Sequence, residues 1–247
     1  MVGFFIIKFR LMKLIYFSIL ALIGLTGSNA QNLNGAWKKI DKHQQDQITI
    51  KLYSNAYFTS STYLESTGEF VSATGGTYVI SSSDYIENYE IDSQSRAVTG
   101  TFLNFDYKIE NDTLRLSDKN SRNEEAWIKI DSADKNNVTC WKIHQAFRDS
   151  SWLTIEDKPR KTLKMLTNNY YQILALNSQT GEFFGSSGGK WTGDDTEHNE
   201  MIHFFSKYPA MVGKILSFKK EVKDGIWHHN GKSSEGDYIQ ERWKRFK

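Results

Sequence analysis

Two glutamates carry the strongest suggestion of chemistry in this sequence. Glu87 and Glu200 each lie 11 residues after the second glycine of a Gly-Gly pair, Gly75-Gly76 and Gly188-Gly189. Around the first, Tyr85, Glu87 and Tyr89 fall two apart, so on a strand they share one face. If that face lines an interior, the carboxylate sits in an aromatic cup and can orient a ligand's hydroxyl or amine. The plainer alternative is an internal ion pair with a lysine or arginine, because a buried charge requires a partner. Around the second, His198 stands two before Glu200, a pair able to act as acid and base if a substrate reaches it. Trp191 belongs to a tryptophan-rich second half with Trp141, Trp152, Trp227 and Trp243. Such rings suit a sugar or a flat apolar ligand, and equally well fill a core.

Other constellations are weaker. His198, His203, His228 and His229 cluster in the second half, but Glu197-His198-Asn199-Glu200-Met201-Ile202-His203 is not the H-E-x-x-H zinc helix. His228 and His229, being adjacent, face opposite sides of a strand. Solvated surface histidines are the expectation, with zinc bound across strands as the alternative. The glycine pairs lack the lysine and following helix of a phosphate loop and read as turns or bulges. No nucleophile elbow accompanies a Ser-His-Asp set. Cys140, the one cysteine, reads as a small buried apolar residue. No catalytic residue, metal or cofactor is assigned.

The elements that must position these residues come twice. A constant shift of 113 carries Thr49, Lys51, Tyr57, Thr67-Gly68-Glu69-Phe70, Gly75-Gly76, Glu87, Gly100 and Phe105 onto Thr162, Lys164, Tyr170, Thr180-Gly181-Glu182-Phe183, Gly188-Gly189, Glu200, Gly213 and Phe218. Ile48, Ile50 and Leu52 alternate with Thr49 and Lys51, the period of a half-buried strand. Turn signals such as Asn111-Asp112 and Asp224-Gly225 recur at short intervals, which predicts an all-β unit. Glu197 to Ser206 is the one stretch where a short helix is the alternative to a strand. A unit of this length holds about eight strands, and closing them removes exposed edges. Two small antiparallel barrels in tandem are therefore expected, with β-sandwiches as the alternative.

The polar run 131–137 reads as a linker between copy one (31–130) and copy two (138–247). Residues 1–30 read as a signal peptide cleaved after Ala30: Lys8, Arg10 and Lys13, then apolar Leu14 to Leu25, then Ser28-Asn29-Ala30. Met12 is the better start than Met1. The apolar stretch is short of a span, and nothing later approaches one. A periplasmic or secreted protein is expected. The net charge of +2 with no basic block disfavours nucleic acid. Asn111-Asp-Thr113 and Asn137-Val-Thr139 match the glycosylation acceptor pattern.

Asn34-Gly35-Ala36-Trp37 resembles the N-G-x-W opening of lipocalins. In that family the tryptophan closes the barrel floor beside a basic residue from the last strand, a role the resemblance gives to Trp37 and Trp141, with Arg242 as a basic partner. The chain is also similar to secreted bacterial lipocalin-like domains of unknown function. Their G-x-G-T-Y, Y-x-E and E-x-W-K-R elements are matched by Gly75-Gly76-Thr77-Tyr78, Tyr85-Ile86-Glu87 and Glu124 to Lys129. Copy two matches them with Gly188 to Trp191, His198 to Glu200 and Glu241 to Arg245. It has no glycine before Trp141, and Trp152 competes for that place. The resemblance implies a calycin-type barrel and extracytoplasmic binding, and supplies no reaction.

Three functions follow as expectations. The first is non-enzymatic binding of a small apolar or amphipathic ligand by Tyr85, Glu87, Tyr89, Trp191, His198 and Glu200. The second is an interaction module with filled barrels whose partner is an envelope protein or glycan. The third is a barrel hydrolase or isomerase using Glu200 with His198. Large inward side chains in both copies favour the second.

Overall fold

Alternation of period two runs through nearly every segment, and the computed structural model turns each into a strand. It describes residues 32–41, 46–54, 56–132 and 139–246. The leader, positions 133–137 of the linker and residue 138 lie outside the described residues. Copy one contains β1 (Gly35–Lys39), β2 (Gln47–Ser54), β3 (Tyr57–Leu64), β4 (Phe70–Ile80), β5 (Tyr85–Asp92), β6 (Phe102–Glu110), β7 (Thr113–Asp118) and β8 (Glu124–Asp131). Each pairs antiparallel with the next, and β8 returns to β1, closing an eight-stranded barrel.

Copy two contains β9 (Thr139–Arg148), β10 (Ser151–Thr154), β11 (Arg160–Leu166), β12 (Tyr170–Asn177), β13 (Glu182–Gly193), β14 (Glu197–Phe205), β15 (Ile215–Lys223), β16 (Ile226–Lys232) and β17 (Tyr238–Arg245). Here β17 closes on β9, while β10 is a hairpin appended to β9. Both closures rule out the sandwich alternative. Among the described residues no helix is long and apolar enough to cross a membrane.

The repeat is kept in detail. Even the short 3₁₀ turns, Arg96–Val98 and Pro209–Met211, are 113 apart. Asn111-Asp112 and Asp224-Gly225 all take positive φ, the type I′ geometry that matches strand twist in a two-residue hairpin. The second glycine of each pair sits at a bulge where β4 meets β5, or β13 meets β14. A Cβ at Gly76 would lie 1.9 Å from the Asn88 carbonyl oxygen, and one at Gly189 2.0 Å from that of Met201. The bulge switches strand facing, so Tyr89 points inward while Ile91, two residues on, turns outward to the other barrel.

Three expectations change. Glu197 to Phe205 is a strand, not a helix, because His198, Glu200 and Ile202 alternate onto one buried face and Phe204, past the bulge, is buried against copy one. Asp131 is no linker residue: it ends β8, is buried, and accepts bonds from Thr167 (2.5 Å) and from the Asn169 backbone (2.7 Å) and amide (2.8 Å). The strand of Ile48, Ile50 and Leu52 is covered on both faces. Its apolar face packs against Cys140, Leu163, Met165 and Phe204 of copy two, and Lys51 and Tyr53 point into barrel one.

The copies meet across a local two-fold axis. Phe70 stacks on its own repeat equivalent, Phe183, with ring centres 5.6 Å apart and planes 5° from parallel. A Cβ at Gly68 would strike Val212, and one at Gly181 would strike Thr99, positions that are again equivalents. Such self-matching contact is the signature of an isologous interface. Lys161 bridging Glu90 at 2.6 Å, and Gln172 donating to the Ile50 carbonyl at 2.9 Å, add polar ties.

Candidate functional site: paired charges inside each barrel

Each barrel holds one lysine and one glutamate at its centre, from equivalent strands. In barrel one Lys51 on β2 meets Glu87 on β5 at 2.7 Å. In barrel two Lys164 on β11 meets Glu200 on β14, also at 2.7 Å. All four are buried. A buried pair of this kind persists only if its remaining bonding capacity is met and aromatic faces receive the cation. Lys51 Nζ lies 4.7 Å from the Trp127 ring and 5.1 Å from Phe58. Lys164 Nζ lies 5.1 Å from Trp227 and 5.2 Å from Trp243.

The rest of the shell differs between copies. Glu87 accepts Tyr85 on one oxygen and Tyr89, at 2.7 Å, on the other, and Tyr85 also bonds Tyr53 at 2.8 Å. Burial, then the Glu87 charge, pushes the Tyr85 and Tyr89 hydroxyls well up, so they act as donors. In barrel two the equivalents of Tyr85 and Tyr89 are His198 and Ile202. His198 Nε2 lies 2.9 Å from Glu200 Oε1, and His229 Nε2 lies 3.2 Å from Lys164 Nζ. Burial works to raise the Glu200 carboxyl, but Lys164 and His198 outweigh it and hold it well below the usual range. Burial and then Lys164 lower His229 to about 4. Burial also lowers His198, against the pull of Glu200. Both imidazoles are neutral at pH 7.

A second carboxylate flanks each centre. Glu125 accepts Lys39 at 2.7 Å and the Trp127 indole at 3.1 Å. Glu241 accepts the Trp243 indole at 3.0 Å and faces His229 Nδ1 at 3.6 Å. The E-x-W element therefore places a carboxylate and an indole two residues apart on one inward face, where the indole donates to the carboxylate.

Tyr85, Glu87 and Tyr89 thus converge, and so do His198, Glu200 and Lys164. Trp191 is not a free stacking platform: it is half-buried, donates to the Thr167 carbonyl at 2.9 Å, and packs on His198. Trp37 and Trp141 are both buried. The cation over Trp141 is Arg245 at 5.4 Å, and Lys129 lies 5.4 Å over Trp37. Arg242 has a different role, because its side chain points out of the barrel. It stacks at 3.8 Å on Trp152 of the appended hairpin and donates to Gln145 at 3.0 Å. Two histidines expected at the surface, His198 and His229, are buried. Among the described residues no group of three or more His, Cys, Asp or Glu is placed to hold a metal.

Sequence reasoning named the two lysines in the repeat but did not place them in the site. The signal was present, since Lys51 and Lys164 stand at equivalent places in the repeat as the glutamates do. His229 carried no comparable mark, because its equivalent is Leu116.

No family model matches the chain, and no curated protein matches it. Among solved structures, a DnaN sliding clamp (DNA polymerase III subunit beta) from Pseudomonas aeruginosa bound to griselimycin is similar at 6% identity. The similarity covers 87% of this chain and 77% of that one, and its TM-score of 0.13 carries no argument.

Proposed function

We propose that this protein is a non-enzymatic extracytoplasmic interaction module whose filled barrels present their outer surfaces to an envelope protein or glycan. The carrying observation is the Lys–Glu pair at the centre of each barrel, ringed by large aromatic side chains. These occupy the room that an apolar or amphipathic ligand would need. Support for an enzyme is weaker, since His198 and Glu200 are buried and paired to each other. An open groove of about 990 Å³ on barrel one, bordered by Lys39, Tyr107, Arg115 and Glu124, offers a partner a recess of mixed charge. The extracytoplasmic half of the reading rests on the signal-like residues 8–30.

Native mass spectrometry of the protein from its own secretory route, followed by denaturation, tests the reading. The expected result is no lipophilic molecule released and a specific envelope macromolecule captured. A lipophilic compound released reproducibly at about one per chain would return the function to ligand carriage.

A further inference from the structure

The two barrels are controls for one another, and they differ in how completely their buried polar atoms are bonded. In barrel one the three inward tyrosine hydroxyls of the centre are all engaged. Its Trp37 and Trp127 indoles also donate, at 2.8 and 3.1 Å. In barrel two, Tyr171 Oη, His198 Nδ1 and Trp227 Nε1 have no hydrogen-bond partner among the described residues, although all three residues are at least 99% buried. At the equivalent positions barrel one has Phe58, Tyr85 and Leu114: two apolar residues and one engaged hydroxyl. Copy two has gained polar atoms in its interior without gaining partners for them.

Buried polar atoms without partners are rare and costly. These three are neighbours. The His198 and Trp227 rings are 5.0 Å apart, and Tyr171 packs in the same cluster as Trp227. Their chemistry is complementary. The Trp227 indole only donates. His198 uses Nε2–H toward the acceptor-only carboxylate of Glu200, so its Nδ1 presents a lone pair and accepts. Tyr171 does either. The adjacent charges, Lys164 and Glu200, already neutralise each other.

We propose that barrel two, alone of the two, takes a small neutral guest bearing both a donor and an acceptor, held by Tyr171, His198 and Trp227. The class is a hydroxyl or carboxamide compound of a few heavy atoms, of which water is the smallest member. The crowding that excludes a lipophilic ligand also sets this size limit, so the site is independent of the surface recognition proposed above.

Two measurements on the full chain test it. The first is nitrogen-15 NMR of the tryptophan indoles, with Trp227 assigned through Trp227→Phe. Acetamide and ethylene glycol are titrated, and magnetisation transfer from water is recorded. A saturable shift of the Trp227 indole that spares Trp37 and Trp127 identifies an organic guest; transfer from a long-lived water alone identifies water as the occupant. The second is Tyr171→Phe. A hydroxyl held by a guest is missed, so the melting temperature falls by a few degrees; an unbonded hydroxyl is not missed, and the temperature rises. A Trp227 indole that senses neither probes nor water, or a Tyr171→Phe chain that melts higher, overturns the site.

Discussion

Replacing Lys164 by methionine separates the electrostatics of the two barrels. The change keeps most of the side-chain volume but strands Glu200 inside barrel two. Removing one member of a buried pair costs about 3–5 kcal/mol, because the surviving charge is left uncompensated. For a chain of this size that lowers the melting temperature by about 6–20 °C. Barrel two contains its own remedy. His198 already lies 2.9 Å from Glu200, and Lys164 is one of the influences, after burial, that keeps it neutral. With the lysine gone, a protonated His198 can pair with Glu200. The deficit relative to the parent is therefore largest at pH 8 and narrows toward pH 5. Lys51→Met in barrel one shows no such recovery, since Tyr85 stands where the histidine would be. Thermal unfolding by calorimetry or circular dichroism at several pH values reads both effects. The double change Lys164→Met with Glu200→Leu regains most of the loss. A single Lys164→Met chain within about 1 kcal/mol of the parent at pH 8, or a pH-independent deficit, refutes the reasoning.

The native protein has its own acid sensitivity. His229 falls from its ordinary 6.5 to about 4 on folding, so its contribution is complete above pH 6.5 and is lost as pH drops toward 4. Neutral burial of this one side chain is worth about 3 kcal/mol across that window. His198 and His203, both also lowered chiefly by burial, act with the same sign. Chemical denaturation at pH 7 and pH 4.5 measures the difference, and His229→Leu, which installs the barrel-one residue, flattens it. Gly76→Ala and Gly189→Ala each drive a Cβ into a backbone oxygen about 2 Å away. Each costs at least about 3 kcal/mol, visible as loss of soluble, cooperatively unfolding protein. Burial pushes the Cys140 thiol up to about 12, so a maleimide labels the chain only after unfolding. A protease site inserted between residues 132 and 139 yields halves that still co-elute on gel filtration. Halves that part without denaturant would show that the covalent link, and not the interface, holds the barrels together.

The fold was largely legible in the sequence because its signals are local. Alternation, turn residues and the 113-residue shift each report on neighbouring positions along the chain, and together they specify strands, hairpins and a closed barrel made twice. The Tyr85–Glu87–Tyr89 face was legible for the same reason. What was not legible depends on the second covering layer. Ile48, Ile50 and Leu52 advertise a buried face, but nothing local says that the opposite face, with Lys51, is buried too. That follows only when another barrel covers the outside, which moves the apolar face into the interface and leaves the lysine for the interior. Glu197 to Phe205 looked ambiguous because His, Asn and Glu give no clear apolar stripe; its inward polar residues are bonded inside the barrel, Glu200 to Lys164 and His198 to Glu200, rather than solvated. Arg242 illustrates the limit of a resemblance. The closing basic residue is present, but Arg242 alternates with the inward Glu241 and Trp243 and so faces outward, leaving Trp141 to Arg245.

The duplication itself has a physical consequence. Two identical barrels meeting on a two-fold axis must change together, since each substitution appears on both sides. Fusing them lifts that constraint. The interface in this chain still pairs equivalent positions, Phe70 with Phe183 and the Gly68 contact with the Gly181 contact. The interiors have separated, with Tyr85 against His198, Phe58 against Tyr171, and Leu116 against His229. Interior changes of this kind leave the outer strand faces untouched, so they do not disturb the contact. They do alter stability with pH and the satisfaction of buried polar atoms, and they do so in one barrel only. The arrangement therefore gives the chain one barrel whose central tyrosine hydroxyls are all bonded, joined to one with histidines and unsatisfied groups at its centre. That division predicts where the histidine response to acid, or a response to a small polar solute, originates: in copy two, with copy one holding its partner surface in place.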